Sequence, residues 1–561
     1  MNKKLDIHNF WRSNIFIILV FAVASVLSSI IMIHSKFVLV GSDMFFHWQR
    51  IYELRDSILN GNIFDMVAVN KFNQTGTAVM SLYPKFNLLP ITLLSLVVSN
   101  IIKLYYIDFI LRNFVSLLIA YFASYCFNKN KKVSSLFAIS YVLSTMVLNS
   151  AVLNYDIGMS SAMIFLPLVL FGFFELICKN HWVEISLGIS AIIMSHVLSA
   201  IIAIIFIILL VVFNIKTILK RNVLFAATKA FILTVLISSA FWIPFLILSV
   251  SNHISMPPAP ATISGVDFNS LISDIFNNNV STSITITAFI GLILGIINYS
   301  KLTLLSRQIF WISILFLVVC SDFFPWNILS DTFIKATLQF TFRFYIIPQM
   351  LLCYVFAECS IKLCNNYKKN IIVFVGIICG IICIQMVGQK QIVANNINNQ
   401  ELLKPYSGEY NIVIKSKKEI NNLVNGWRPG LIDYYPKNSV SKYDVINNHF
   451  ATYGNHKNIR LGLLGNGKFI FTSKKSIKKL SLPFLSYNGI DYQVKLDGKT
   501  VKGYPNKNVL MTINNVHKGK HRVQIIVHKT KAEIASYILS LIGLLILLGV
   551  ILKNFLKKRK I

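Results

Sequence analysis

The sequence predicts a polytopic α-helical membrane protein of about 12 transmembrane helices, with a C-terminal β-rich domain placed before the last helix. Three observations carry this. Hydrophobic residues make up 55% of the 561 and charged ones 14%, with a mean hydropathy of +0.63, where a soluble chain carries roughly 25% charged residues. Apolar runs recur that are long enough to cross a hydrocarbon core about 30 Å thick. Between Gln389 and Glu533 the texture changes to alternating polar and apolar residues, with 24 Lys and Arg against 8 acids, a net of +16.

Taken in order, Asn14–Ile33 is too long for the apolar core of a signal peptide and lacks a small-residue cleavage site, so it reads as a retained first helix. Lys3, Lys4 and Arg12 place the N-terminus inside and deliver a first outer loop, residues 34–87. Leu88–Ile102 is short and reads as an interfacial helix. Tyr106–Phe127, Val133–Ser150 and Met159–Cys178 follow as crossings, and Glu184–Ile215 divides into two short helices turning near Ser195-His196. Phe225–Leu248, Ile284–Tyr299, Ile309–Cys320, Phe340–Leu363, Ile371–Val387 and Ile534–Leu552 complete the set. In this register every basic loop (128–132, 216–221, 301–307, 368–369 and the tail 557–560) falls on the cytoplasmic side.

The divisions expected are a transmembrane domain over 1–388, an extracytoplasmic basic β-rich domain over 389–533, and a final helix with a cytoplasmic tail over 534–561. Within the second, Asp497-Gly498 signals a hairpin after Asp491–Leu496; Val509–Ile513 and Arg522–Val527 read as further strands about a turn at Lys518-Gly519. No cysteine falls there, which excludes a disulfide framework; Cys379 and Cys383 read as packing residues within a lipid-level run. A nucleic-acid partner is excluded by the outward placement of the charge.

Acidic residues are scarce, 22 in all, so those near the helix ends stand out. Asp43 lies in Gly41-Ser-Asp-Met-Phe-Phe-His47-Trp-Gln-Arg50. If that stretch is helical, Asp43, His47 and Arg50 share a face at i, i+4, i+7 spacing. Asp43 is a loop acid or helix cap, or a carboxylate held at headgroup level by Phe45, Phe46 and Trp48 as interface anchors, where desolvation makes it a better base. His47 is a surface imidazole, a metal ligand or a phosphate donor. Asp156 is a helix cap or a second carboxylate converging on the same outer cavity. His196 interrupts an apolar stretch, either as a satisfied structural histidine or facing a cavity. Arg343 snorkels at a helix end or pairs with a lipid phosphate.

With Leu82-Tyr-Pro-Lys-Phe86, Asn154-Tyr-Asp-Ile-Gly158 and Pro167, Ser195-His-Val-Leu-Ser199 and Thr341-Phe-Arg-Phe344, these motifs resemble YfhO-like and 6-pyruvoyl-tetrahydropterin-synthase-related bacterial membrane proteins of the GT-C glycosyltransferase superfamily. The Asp491–Gly498 segment is similar to their C-terminal β domain. The resemblance implies a GT-C-like fold and sugar transfer from a polyprenyl-phosphate donor to a cell-surface acceptor (a teichoic acid, glycolipid or other glycan) on the extracytoplasmic face. It puts Asp43 in the position of the catalytic acid, with Asp156 next. His47, Arg50, His196 and Arg343 are then the substrate- and phosphate-binding candidates. No adjacent acidic pair stands at Asp43, which leaves a divalent metal (Mg or Mn, with Asp43 and His47 as candidate ligands) an open expectation. The alternatives are a transporter or flippase for a lipid-linked sugar, and a non-enzymatic cell-envelope assembly factor.

Overall fold

Lipid offers no partner for backbone N–H and C=O groups, so the apolar runs can satisfy themselves only as helices. The computed structural model describes residues 14–36, 38–62, 64–255, 260–364, 370–398, 412–414, 416–426, 432–454 and 457–559. The helices used below are α1 (Asn14–Leu27), α2 (Met44–Leu59), α3 (Leu89–Val97), α4 (Ile101–Asn128), α5 (Lys131–Val142), α6 (Ile157–Lys179) and α7 (Val183–Ile193). They continue with α8 (Val197–Phe213), α9 (Arg221–Ser251), α10 (Ile286–Ile297), α11 (Leu304–Cys320), α12 (Ile346–Cys364), α13 (Asn370–Asn396) and α14 (Lys531–Arg559).

Among the described residues, six helical segments can cross a membrane by length and composition, or seven if α5 and the bent 145–153 segment after it form one span. Six shorter apolar helices of 10–17 residues, α7 and α8 among them, take up the other apolar runs. The chain is thus a polytopic helical membrane protein, but the expected count of about 12 crossings is not established. The segment Thr341–Cys364, which contains α12, is the hub, its whole apolar window buried, whereas α13 and α14 lie at the periphery. That placement bears on Cys379 and Cys383, expected as packing residues: both sit exposed on α13.

The loops segregate to two ends. At one, the basic connections meet through Asn180–Asn222 (3.2 Å), Asn214–Gln308 (3.2 Å) and Lys362 Nζ donating to the Lys301 carbonyl (3.0 Å). At the other lie α2, α3 and the β-rich region. There α13 runs on to Asn396, past the expected boundary at 389, because Gln385 and Gln389 donate to the Ser28 and Leu27 carbonyls freed where α1 breaks (3.0 and 2.8 Å).

Beyond α13, β2 (Ile412–Ile414) pairs antiparallel with β1 (Val38–Val40) of the first loop. Two five-stranded sheets follow, built from β3 (Phe450–Tyr453), β4 (Lys457–Arg460), β5 (Gly462–Gly465), β6 (Lys468–Ser473), β7 (Ile477–Leu485), β8 (Asp491–Leu496), β9 (Lys499–Val501), β10 (Gly503–Pro505), β11 (Leu510–Val516) and β12 (Gly519–His528). Their orders are β10-β11-β7-β3-β4 and β5-β6-β12-β8-β9. Phe469, Phe484, Leu480, Leu482, Ile513 and Val523 are fully enclosed in their common core. The hairpin expected at Asp497-Gly498 joins β8 to β9, both turn residues having positive φ (50° and 83°), as the tight hairpin turn demands.

Candidate active site

The first loop is fixed by a backbone contact that only glycine permits. A Cβ on Gly41 would lie 2.7 Å from the Asn154 carbonyl carbon and 2.8 Å from the Leu153 oxygen. Held that close, the Asp43 amide donates to the Asn154 carbonyl at 2.8 Å. Helix α2 starts one residue later with Asp43 as its N-cap, so Asp43, His47 and Arg50 do share a face. That face points into the protein: His47 is 1% exposed and Arg50 fully enclosed, while Asp43 is half-buried.

The neighbouring aromatics are not interface anchors, contrary to expectation. Trp48 is fully buried and stacks on Tyr155 (6.2 Å, 22°), and Phe45 is likewise enclosed. Phe46 is surrounded by His47, Phe72, Tyr83 and Tyr434 at 5.1–6.0 Å. Folding the first loop under the sandwich gives these rings protein partners, and burying each stabilises by about 2–3 kcal/mol.

Asp156 enters from the start of α6, which it caps: its Oδ1 accepts the Met159 N–H at 3.0 Å. His196 enters from the break between α7 and α8. Its Nδ1 accepts the Ser199 N–H (3.3 Å) and contacts the Ser199 hydroxyl (2.8 Å), which leaves the ring proton on Nε2. Both residues are thus helix caps. Gly158 makes room for the encounter, since a Cβ there would meet the Tyr83 hydroxyl and approach the His196 ring to 3.0 Å.

Ligating atoms of Asp43, His47 and Asp156 all lie within 4.8 Å of one another. Arg50 borders them, donating to His47 Nδ1 (3.3 Å) and to the Tyr83 and Pro84 carbonyls, with its guanidinium 4.3 Å from the Tyr83 ring centroid. Burial, then the Arg50 charge, then His196 and Arg112, hold His47 well below the usual imidazole value, so the ring is neutral. Burial lowers Arg50 to about 10, which keeps it charged at neutral pH. Two carboxylates with a neutral imidazole form a donor set that suits a divalent cation of the Mg or Mn type.

Arg343 stands further off. Its Nη1 donates to the Leu338 carbonyl (2.8 Å) and Gln339 Oε1 (3.0 Å), and its charge reaches Tyr434. Sequence reasoning assigned no role to four residues. Tyr83 touches Phe46, His47, His196, Tyr434 and Arg50, and its motif was the available signal. Tyr155 and Tyr434 flank His47 and Phe46. Arg112 pairs with Asp108 (2.6 Å) and Ser161 (2.6 Å) yet keeps Nη2 without a partner. Arg112 lines a small pocket with Tyr105, Tyr155 and Ser160. An ionisable residue inside an apolar helix, four positions from an acid, was the signal for it.

No family model matches the chain, and no curated protein matches it either. Among solved structures it is similar to the crystal structure of ArnT from Cupriavidus metallidurans bound to undecaprenyl phosphate. The likeness covers 75% of this chain and 86% of that one at 10% identity, with a TM-score of 0.32. A likeness of that degree supports no transfer of function.

Proposed function

We propose that the protein is a GT-C-type membrane glycosyltransferase, which moves a sugar from a polyprenyl-phosphate donor to an envelope acceptor on the extracytoplasmic face. The observation that supports this is the convergence of Asp43, His47 and Asp156, from segments more than a hundred residues apart, where the helices meet the sandwich. Asp43, the half-buried member, takes the proton of the acceptor hydroxyl while that oxygen attacks the anomeric carbon. The bond from that carbon to the phosphate oxygen breaks, and its electron pair leaves with the lipid phosphate. Asp156, spending one oxygen on its helix cap, holds the acceptor with the other.

The leaving phosphate needs fixed positive charge. In this reading Arg112, whose Nη2 has no partner, and Arg343 supply it; Arg50 is enclosed and positions His47 and the Tyr83–Pro84 turn. His196 presents Nε2–H as a donor to substrate oxygens. If a divalent ion binds, Asp43, His47 and Asp156 would hold it, and it would add charge stabilisation at the departing phosphate.

The test is turnover of a panel of radiolabelled polyprenyl-phosphate sugars by purified wild type and Asp43→Asn. Transfer by the wild type, lost in a folded mutant, supports the assignment. Equal transfer by both removes Asp43 as the base. No transfer from any donor, together with lipid-linked sugar crossing proteoliposomes, replaces the enzyme by the flippase reading.

A further inference from the structure

Helices α10 and α11 are too short to cross a bilayer by themselves. They have 12 and 17 residues, which at about 1.5 Å each gives lengths of about 18 and 26 Å against a hydrocarbon core of about 30 Å. An apolar surface that spans the bilayer here must therefore continue beyond their ends. On α11 the exposed side chains Trp311, Leu315 and Val318 follow i, i+4, i+7 spacing and form one stripe. The stripe runs to the helix end at Cys320, on the side of the bundle that carries the β-rich region.

Past that end, two connections are knitted into one platform. The Val266 amide donates to the Cys320 carbonyl (2.8 Å), and the Asp322 amide to the Val266 carbonyl (3.1 Å). Gly265 permits this approach, since a Cβ there would collide with the Ser321 backbone. The Thr341 hydroxyl donates to the Ser264 carbonyl (2.8 Å), and Lys335 Nζ to the Ala261 carbonyl (3.1 Å). Phe268 packs on Phe323 with ring centroids 5.4 Å apart, and Phe276 on Phe289 of α10 at 5.6 Å. So held, the platform leaves Phe276, Phe323, Ile328 and Phe333 exposed, Ile328 at 72% and Phe333 at 79%. A single exposed apolar residue needs no account, but a group that prolongs an apolar helix stripe marks an interaction surface.

Continuity with α11 identifies what covers it. Phe323 lies three residues past Cys320, so the platform extends a surface already turned to lipid. The sandwich rests elsewhere, on the first loop and the end of α9. Asp322 and Asp331 are exposed among the apolar side chains, and a mixture of aromatics and carboxylates belongs at headgroup depth rather than in the hydrocarbon interior. We propose that the platform formed by 261–276 and 321–341 is a membrane-surface anchor, with Phe323, Ile328 and Phe333 seated among the lipids of the leaflet at the β-rich end. The anchoring role that Phe45, Phe46 and Trp48 do not fill falls to these residues. Arg343, whose guanidinium lies 5.3 Å from the Phe340 ring centroid, is carried at headgroup depth with them. The seating goes further than the transferase reading and does not depend on it.

The experiment uses the full chain, one copy per phosphatidylcholine nanodisc. A nitroxide is placed at one position at a time on a keto amino acid, which leaves the eight native cysteines untouched. Collisions with oxygen, which enters lipid, are compared with those of a charged metal chelate, which stays in water. Position 538, exposed near the start of α14, is the lipid reference, and position 474 on the β6–β7 turn is the water reference. Positions 328 and 333 are expected to resemble 538, with an oxygen-to-chelate ratio roughly tenfold above that at 474. Two labelled sites and an unchanged unfolding midpoint guard against a local misfold. No substrate is present, so the result is separate from any failure of turnover. A ratio at 328 and 333 equal to that at 474 would put the platform in water and overturn the proposal. Exclusion of both reagents would mean that protein covers the platform, and would overturn it equally.

Discussion

Replacing Gly41 by alanine tests whether the site depends on the contact between the first loop and the start of α6. The added Cβ would sit 2.7–2.8 Å from three backbone atoms of Leu153 and Asn154, where carbon contacts relax only at about 3.5 Å or beyond. Backbone cannot rotate away as a side chain can, so the two segments must part by about 0.7 Å or more. The Asp43 amide to Asn154 carbonyl bond, now 2.8 Å, stretches past a useful length, a loss of about 1 kcal/mol. The larger effect is on geometry: Asp43 and His47 move together relative to Asp156, and a misplacement near 1 Å lowers turnover by about a hundredfold. The assay is sugar transfer in proteoliposomes beside thermal unfolding of the same preparation. Gly376→Ala is the control, because nothing lies within 4 Å of its added Cβ on α13. Wild-type turnover in Gly41→Ala would refute the reasoning.

Glu53 is fully buried in α2 and accepts the Val69, Asn70 and Lys71 N–H groups. Glu53→Gln turns an amide NH₂ toward those donors, and chemical or thermal unfolding should show a loss of about 2–3 kcal/mol. His47 has a folded-state pKa below its unfolded value, so its contribution is complete above about pH 6.5 and is lost as pH falls below that, by up to about 1.4 kcal/mol per unit. His449, lowered to about 4 by burial and then Arg460, acts in the same direction. His47→Gln should therefore flatten, without abolishing, the fall in unfolding midpoint between pH 6.5 and 4. Arg112→Lys keeps a cation beside Asp108 but removes the idle fork nitrogen, and should raise KM for the lipid donor about tenfold with the fold intact. An unchanged KM would assign that phosphate to Arg343.

Where one local rule governs a feature, the sequence shows it. The Asp497-Gly498 hairpin follows from turn chemistry alone, and the paired short helices about His196 follow from an apolar run too long for one crossing. The spacing of Asp43, His47 and Arg50 is helical arithmetic. Legibility fails where burial depends on distant chain. Phe45, Phe46 and Trp48 have the composition of membrane-surface anchors, and the partners that help make Trp48 and Phe46 core include Tyr155 and Tyr434, more than a hundred and nearly four hundred residues away. Arg112 was hidden for a different reason. It reads as one polar position in an apolar helix until its third partner is seen to be missing. Tyr83 has no charge or periodicity to mark it, and its part is purely geometric.

The short ladder between β1 and β2 joins Val38–Val40 to Ile412–Ile414, and Gln49 of α2 reaches still further, donating to the Gly426 carbonyl at 2.6 Å. During synthesis the chain emerges from its N-terminus, at about 5–20 residues per second. Val38 then waits at least some twenty seconds for the strand that completes its edge. Through that interval α2 lacks the cover that Gly426 and Tyr434 give it, and the β1 edge stays open. Completion of the chain thereby acts as a timer: the edge of the first loop is closed only when the segment that leads into the β-rich region has been made.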